Sequence, residues 1–380
     1  MKLSLLASLP LALAAIAIAS AAPAQAKFTP AQYDPFVGDW ETQPPAAPDA
    51  PVAQVIQTGS NAYTVNVLAA FDDDLDAAPI ATLKGSLPAT ADPKKDPIEL
   101  SGTGASGSGT WTGEMWPDCC SSPHLNLVNT NTQTQARQIL RLRHYMRPNP
   151  LLRVKPPANA KVLFGINGQN PDAWMKWPPA ENNAPAEGRA NPPGEPKRGT
   201  AQPEASPYPT TTPAANWKLA ESGYVLESVP NAGAIASRET FGDQRVHLEF
   251  RFIGTPASAC VRVQGVYPIT LTESYARFDL PPSGVIEKTT KTADINPAAR
   301  ASRPVLEWQS LDVDFHAPKF GSKGKIQTPA TATVYLNNVL LYENVELTAP
   351  DAARAPETPR GPLVLEERGA PVQFRNIWVQ

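Results

Sequence analysis

The sequence is poor in the residues that staple or metallate a small exported fold. It has three cysteines, Cys119, Cys120 and Cys260, and four histidines in 380 residues. An odd count leaves one thiol over, and a bond between the adjacent Cys119 and Cys120 would close a strained ring. A structural zinc site needs about four ligands, and the histidines share no ligand spacing with the cysteines. Buried or loosely paired structural cysteines are the better reading. Glycine is outnumbered by proline, 23 to 43. That excludes long uninterrupted helices and favours short strands, turns and proline-rich connectors. There is no basic excess either. The formal charge is −3, which argues against nucleic acid as a partner, because phosphate binding needs a basic field.

Beyond the first 26 residues no apolar run is long enough to span a bilayer. Also missing are a Gly-x-Ser-x-Gly elbow, a phosphate-binding glycine loop and a His-Glu-x-x-His helix. The paired-carboxylate strand Glu-x-Asp-x-x-Glu of retaining glucanases is not found.

What is present begins with a secretory signal pattern. Lys2 precedes an apolar run, and Ala24, Gln25 and Ala26 form a small-x-small cleavage site. The expected cut lies near Ala26-Lys27, giving a secreted or periplasmic protein. Loss of residues 1–26, which hold one lysine, takes the formal charge from −3 to −4.

Residues 27–146 read as a small antiparallel β-domain. Two β-branched and aromatic runs flank a Gly59-Ser60-Asn61 turn, which is a hairpin signal. The acidic run Asp72–Asp76 lacks the oxygen spacing of a calcium loop and reads as a solvated hairpin end. Residues 147–160 form a proline-rich linker, expected to be extended and semi-rigid. Residues 161–380 form a second domain. Within it, 178–216 is rich in Pro, Ala, Gly and charge, and is expected to be a long surface loop.

From Trp217 onward the period-two pattern dominates. "RVHLEFRF" puts Val246, Leu248, Phe250 and Phe252 on one face, with His247, Glu249 and Arg251 on the other. "QSLDVDFHA" does the same with Leu311, Val313 and Phe315 against Asp312, Asp314 and His316. "TATVYLNNVLLYENVEL" is a hairpin turning at Asn337-Asn338, where Asn tolerates positive φ. "PVQFRNIWV" places Val372, Phe374, Asn376 and Trp378 on one face of a terminal strand. Such alternation in strand after strand predicts an all-β, antiparallel sandwich.

The segments "TFGDQRVHLEFRF", "RASRPVLEWQSLDVDFHAPKF", "VYLNNVLLYENVEL" and "GPLVLEERGAPVQFRNIWV" resemble the secreted 3-keto-disaccharide hydrolase family over about 156–380. The resemblance implies a concanavalin-like jelly roll, preceded here by the small β-domain. It also implies carbohydrate chemistry. A 3-keto group acidifies the C2 proton; a base removes it and the aglycone leaves by elimination.

The sequence departs from the family at several site positions. Ala257, Ser258, Ala259 and Cys260 stand where relatives have Gly-Asn-Ser-Gly. Pro268, Thr270 and Glu273 replace a Glu-x-Gln-x-x-Asp pattern. Glu287 replaces a tyrosine, and Arg300 an asparagine. Glu366, Glu367, Arg368 and Gly369 replace Gln-Asp-His-Gly. The candidate catalytic residues are therefore Glu249, Glu273 and Glu367. The candidate sugar-binding residues are Arg262, Gln264, Glu287, Trp308, Glu366 and Arg368.

For several of these a plain structural alternative stands beside the functional one. Glu249 would pair with Arg251 or Arg375, His247 would be a hydrogen-bonded neighbour, and Trp308 would be core. No cofactor is indicated; a divalent metal is left open. The expected partner is a 3-keto-glycoside or oligosaccharide. The competing reading is a relative that has lost the chemistry and serves as a carbohydrate-binding or envelope interaction module.

Overall fold

In a computed structural model, the described residues are 28–44, 49–71, 78–107, 109–117, 123–168, 170–177, 217–288, 293–350 and 356–380. Residues 1–26, expected to be a signal peptide, the Asp72–Asp76 run, Cys119 and Cys120, and residues 178–216, expected to be a surface loop, lie outside them. Among the described residues there is no α-helix; the chain is built from antiparallel strands with a few 3-10 turns.

Eight strands between Gly38–Thr42 and Arg137–Tyr145 close into a barrel. Closure falls to the first strand. Gly38–Thr42 pairs with Val52–Gly59 on one side and with Arg137–Tyr145 on the other. Closing the ring removes every exposed strand edge. Alternate residues fill the interior, with Trp40, Val65, Leu83, Trp111, Met115 and Leu125 at its centre.

The rest of the chain forms a two-layer sandwich, the antiparallel architecture that the alternation predicts. One layer has eight strands. Its centre is the pairing of Gln244–Phe252 with Gln309–His316 on one side and the terminal Val372–Val379 on the other. The other layer has six strands. Gly361–Glu367 lies between Ile235–Phe241 and Ser258–Val263, followed by Tyr267–Thr272 and the short edge strand Val285–Ile286. The two inner faces pack together through residues such as Leu248, Phe250, Val261, Leu311, Leu365 and Phe374.

One expectation changes in the last strand. The alternation places Trp378 on the face of Phe374. Instead, Asn376 adopts a left-handed backbone with φ 47°, and the register with Gln244–Phe252 shifts there. This is a β-bulge, which adds one residue and exchanges the faces beyond it. Ile377 and Val379 therefore join Val372 and Phe374 in the core. Trp378 turns outward and stacks on His247, with ring centroids 5.0 Å apart.

The proline-rich connector is laid across the outer face of the eight-stranded layer as a strap. Asn149 Nδ2 donates to Ser310 Oγ and to Asn337 Oδ1. The Arg153 N–H donates to Glu249, and Asn376 Nδ2 donates to Val154 O. The residues between the prolines thus make the hydrogen bonds that the prolines, lacking an N–H, cannot donate.

Candidate functional site

The outer face of the six-stranded layer carries a row of charged side chains. Its origin is simple alternation. In Ser258–Val263, residues Ala259, Val261 and Val263 enter the core, so Cys260 and Arg262 face outward. Cys260 is in register with Thr270 on one neighbour and Glu366 on the other. Glu366 and Arg368 come from the "EERG" segment at the end of Gly361–Glu367. Glu287 follows the edge strand.

These groups are joined end to end. Arg262 Nε donates to Glu366 Oε2 at 2.7 Å. Arg368 Nε lies 3.9 Å from Glu366 Oε1. The Arg368 Nη1 donates to Glu287 Oε1, and Thr270 Oγ1 donates to the same oxygen at 2.5 Å. All four charged side chains are about one-quarter exposed. Burial works to raise the Glu287 carboxyl, but the hydrogen bonds from Arg368 and Thr270 outweigh it. They hold Glu287 below the ordinary glutamate range. Beneath the row, Cys260 is fully buried, and burial pushes its thiol up to about 12. It is a neutral floor rather than a nucleophile.

The other end of this face is aromatic. Gly265 has φ 74° in the turn between Ser258–Val263 and Tyr267–Thr272. A Cβ there would lie 3.3 Å from the Trp177 ring and 3.5 Å from Pro362. Glycine lets the turn pass close under that indole. Trp177 is the site-facing residue that the sequence reading passed over; its signal is the second tryptophan of "AWMKW".

Of the nine candidate residues, Arg262, Glu287, Glu366 and Arg368 meet in this row. Gln264 lies at the same end of the layer but is wholly buried, and its Nε2 donates to Phe241 O and Pro359 O. Glu367 turns away from the row. Its two oxygens accept from the N–H groups of Asn231 and Gly369, closing the turn. Glu273 sits past the end of Tyr267–Thr272, accepting from Thr255 Oγ1 at 2.9 Å. Burial raises its carboxyl, with Thr255 and Arg277 opposing.

Glu249 and Trp308 belong to the opposite outer face, across the core from the row. Glu249 has no exposure. Oε1 accepts from the Arg153 N–H and from Asn376 Nδ2; Oε2 accepts from Arg375 Nε at 2.7 Å. Of the two ion pairs expected for it, the one with Arg375 forms. Burial opposes ionisation, but His247, Asn376, Arg153 and Arg375 together hold the carboxyl below its usual range. His247 Nδ1 lies 2.9 Å from Asp312 Oδ1. Burial works to lower this imidazole, yet Asp312 and Glu249 on either side raise it. Trp308 is neither core nor open platform. Arg375 and Arg251 lie over its ring, 3.9 and 4.7 Å from the centroid.

Among the described residues, no group of three or more His, Cys, Asp and Glu side chains is placed to hold a metal ion. Among these same residues no helix is long and apolar enough to cross a membrane.

Residues 159–380 match the 3-keto-alpha-glucoside-1,2-lyase-like domain. The chain belongs to that family. The match covers more than half of the 380 residues and contains both outer faces described above. Among solved structures, the chain is similar to a protein of Parabacteroides distasonis ATCC 8503 provisionally described as a glycosyl hydrolase. Identity is 22%, with 62% of this chain and 94% of that one covered and a TM-score of 0.43. A second such protein from the same organism is 12% identical, covering 43% and 89%, with a TM-score of 0.29. No curated protein matches.

Proposed function

We propose that this 3-keto-glucoside lyase-like protein binds a 3-keto-glycoside on the outer face of its six-stranded layer and cleaves it by elimination. The observation that carries the reading is the arrangement around Glu287. One oxygen, Oε1, is pinned by Arg368 and Thr270. The other makes no hydrogen bond among the described residues and is available to a substrate.

In this reading Glu287 Oε2 takes the C2 proton. Arg368 and Arg262 supply N–H donors to the oxygen at C3 as the enolate forms. The C2–H electron pair becomes the new double bond, the C1–O bond breaks, and the departing aglycone oxygen takes up the proton that Glu287 has accepted. Water adds in a later step. A carboxylate of low basicity suffices where donors stabilise the enolate, as in ketosteroid isomerase, whose base is an aspartate of nearly ordinary pKa. The protein is proposed to act after export, with residues 1–26 removed as a signal peptide.

A second reading is sugar binding without turnover. It is favoured by the fact that each of the four charges in the row already has a protein partner. Turnover of a 3-keto-glucoside by the purified protein, with and without added divalent metal, separates the two. The unoxidised glucoside is the control. Cleavage of the keto sugar alone supports the enzyme. Calorimetric binding of that sugar with no cleavage by folded protein supports the binding module.

A further inference from the structure

Between Gln309–His316 and Ala330–Leu336 the chain leaves both layers and makes a small hairpin of its own. Lys319–Phe320 pairs with Ile326–Thr328, with Lys319 opposite Thr328 and Phe320 opposite Ile326. Gln327 is the extra residue of a bulge between the two pairs. The Gly324 N–H donates to Gly321 O and the Gly321 N–H to Lys325 O, both at 2.9 Å, which closes the turn. Gly324 has φ 69°, and a Cβ there would meet nothing within 4 Å. The tip therefore stands in open space.

Two features set this hairpin apart. The first is charge. It carries Lys319, Lys323 and Lys325, and the sequence has no Asp or Glu from Ala317 to Tyr342, in a chain whose formal charge is −3. All three lysines are exposed. None of their ammonium groups makes an ion pair or hydrogen bond among the described residues. The second feature is apolar. Residues directly opposite on paired strands put their side chains on one side of the hairpin, so Phe320 and Ile326 form a pair. Neither belongs to a hydrophobic core, and half-buried Phe320 packs against none. Ile326 is 40% exposed.

Lysines on a short exposed strand pair also serve to prevent edge-to-edge pairing. That role accounts for the charges and leaves the apolar pair unexplained. We propose that the hairpin docks the protein on the surface of an anionic bilayer. Its ammonium groups meet the lipid phosphates, each strengthening the partition about fivefold. Phe320 and Ile326 enter the boundary between headgroups and acyl chains. A soluble polyanion would engage the lysines and leave the apolar pair in water, so a lipid surface is the occupant that uses both features. The rest of the chain is net acidic, and attachment through one hairpin is reversible and oriented. The docking stands on the hairpin alone and does not depend on what the charged row binds.

The test is flotation of the purified protein with vesicles of equal parts phosphatidylglycerol and phosphatidylcholine, against phosphatidylcholine alone. Residues 1–26 are removed beforehand, because their apolar run would bind lipid by itself. The protein is expected to float with the anionic vesicles only and to be released by about 0.5 M salt, where screening is nearly complete. Changing Lys319, Lys323 and Lys325 together to Gln should lower the partition on the order of 10²-fold. Changing all three to Arg should preserve it. Ile326→Ser, with the lysines intact, should lower it about tenfold. Circular dichroism of each variant establishes that it is folded. Failure of the folded wild-type protein to float with the anionic vesicles overturns the proposal. So does flotation that survives the triple Gln change. Unchanged flotation of Ile326→Ser overturns it in favour of a purely ionic contact, and retention on heparin without flotation overturns it in favour of an acidic glycan.

Discussion

Arg368 rests its guanidinium on the carboxylate of Glu287, joining the terminal hairpin turn to the edge of the six-stranded layer across 81 positions of sequence. Replacing the arginine by glutamine removes the main influence that opposes burial at Glu287. The carboxyl is then expected to rise, and the acid limb of kcat/KM for a 3-keto-glucoside moves to higher pH. The rate at neutral pH falls by about 10²-fold, the scale of losing one preorganised donor. An acid limb that stays in place in an active Arg368→Gln protein removes Glu287 as the base.

Glu249→Ala is expected to destabilise the fold by about 3–5 kcal/mol, because it leaves the Arg375 charge largely buried without its partner. Urea denaturation measures this directly. The residue faces away from the charged row, so Glu249→Gln, if it folds, should retain sugar binding at the row. Loss of binding with intact folding would place the site on the eight-stranded side instead.

His247 and Glu249 give the strap's anchorage opposite dependences on pH. The His247 value is raised, so its contribution is fully present below its ordinary 6.5 and is lost as pH rises through the raised value. The Glu249 value is lowered, so its contribution is present above its ordinary 4.5 and is lost as pH falls through the lowered value. His247→Phe should reduce the alkaline loss of stability while leaving the acid side governed by Glu249. Denaturation midpoints from pH 4 to 9 for the two proteins check this.

Cys260 should resist alkylation in the folded protein at pH 8 and react once the chain is unfolded. Its thiol is buried and pushed up to about 12, so little thiolate is present. Peptide mapping after iodoacetamide treatment reads the two states. Labelling of the native chain at Cys260 would mean that the row opens.

The sandwich was legible because its strands alternate. Val246, Leu248 and Phe250 point inward as the period predicts, and Asn337 and Asn338 turn the hairpin with φ 53° and 68°. The barrel's closure was not legible, since the pairing of Trp40 with His144 joins segments about a hundred residues apart. The bulge at Asn376 was hidden for a different reason: one residue in a left-handed conformation reverses every later side chain without changing the sequence pattern. The site divides the same way. Arg262, Glu287, Glu366 and Arg368 were each singled out in the sequence as sugar-binding candidates. That they meet depends on the register of three strands. That Glu249 does not join them follows from its place in the other layer, across the core, which alternation within one strand does not reveal.

Thr29–Pro30, ahead of the barrel, pairs with Gly254–Thr255 of the sandwich. The barrel's other end continues into the strap. The barrel is therefore spliced into the sandwich at both ends rather than hung from one. A unit held by two separate seams has no single pivot about which to swing. Parting the halves would mean breaking both seams, so a pull on either is shared by the other.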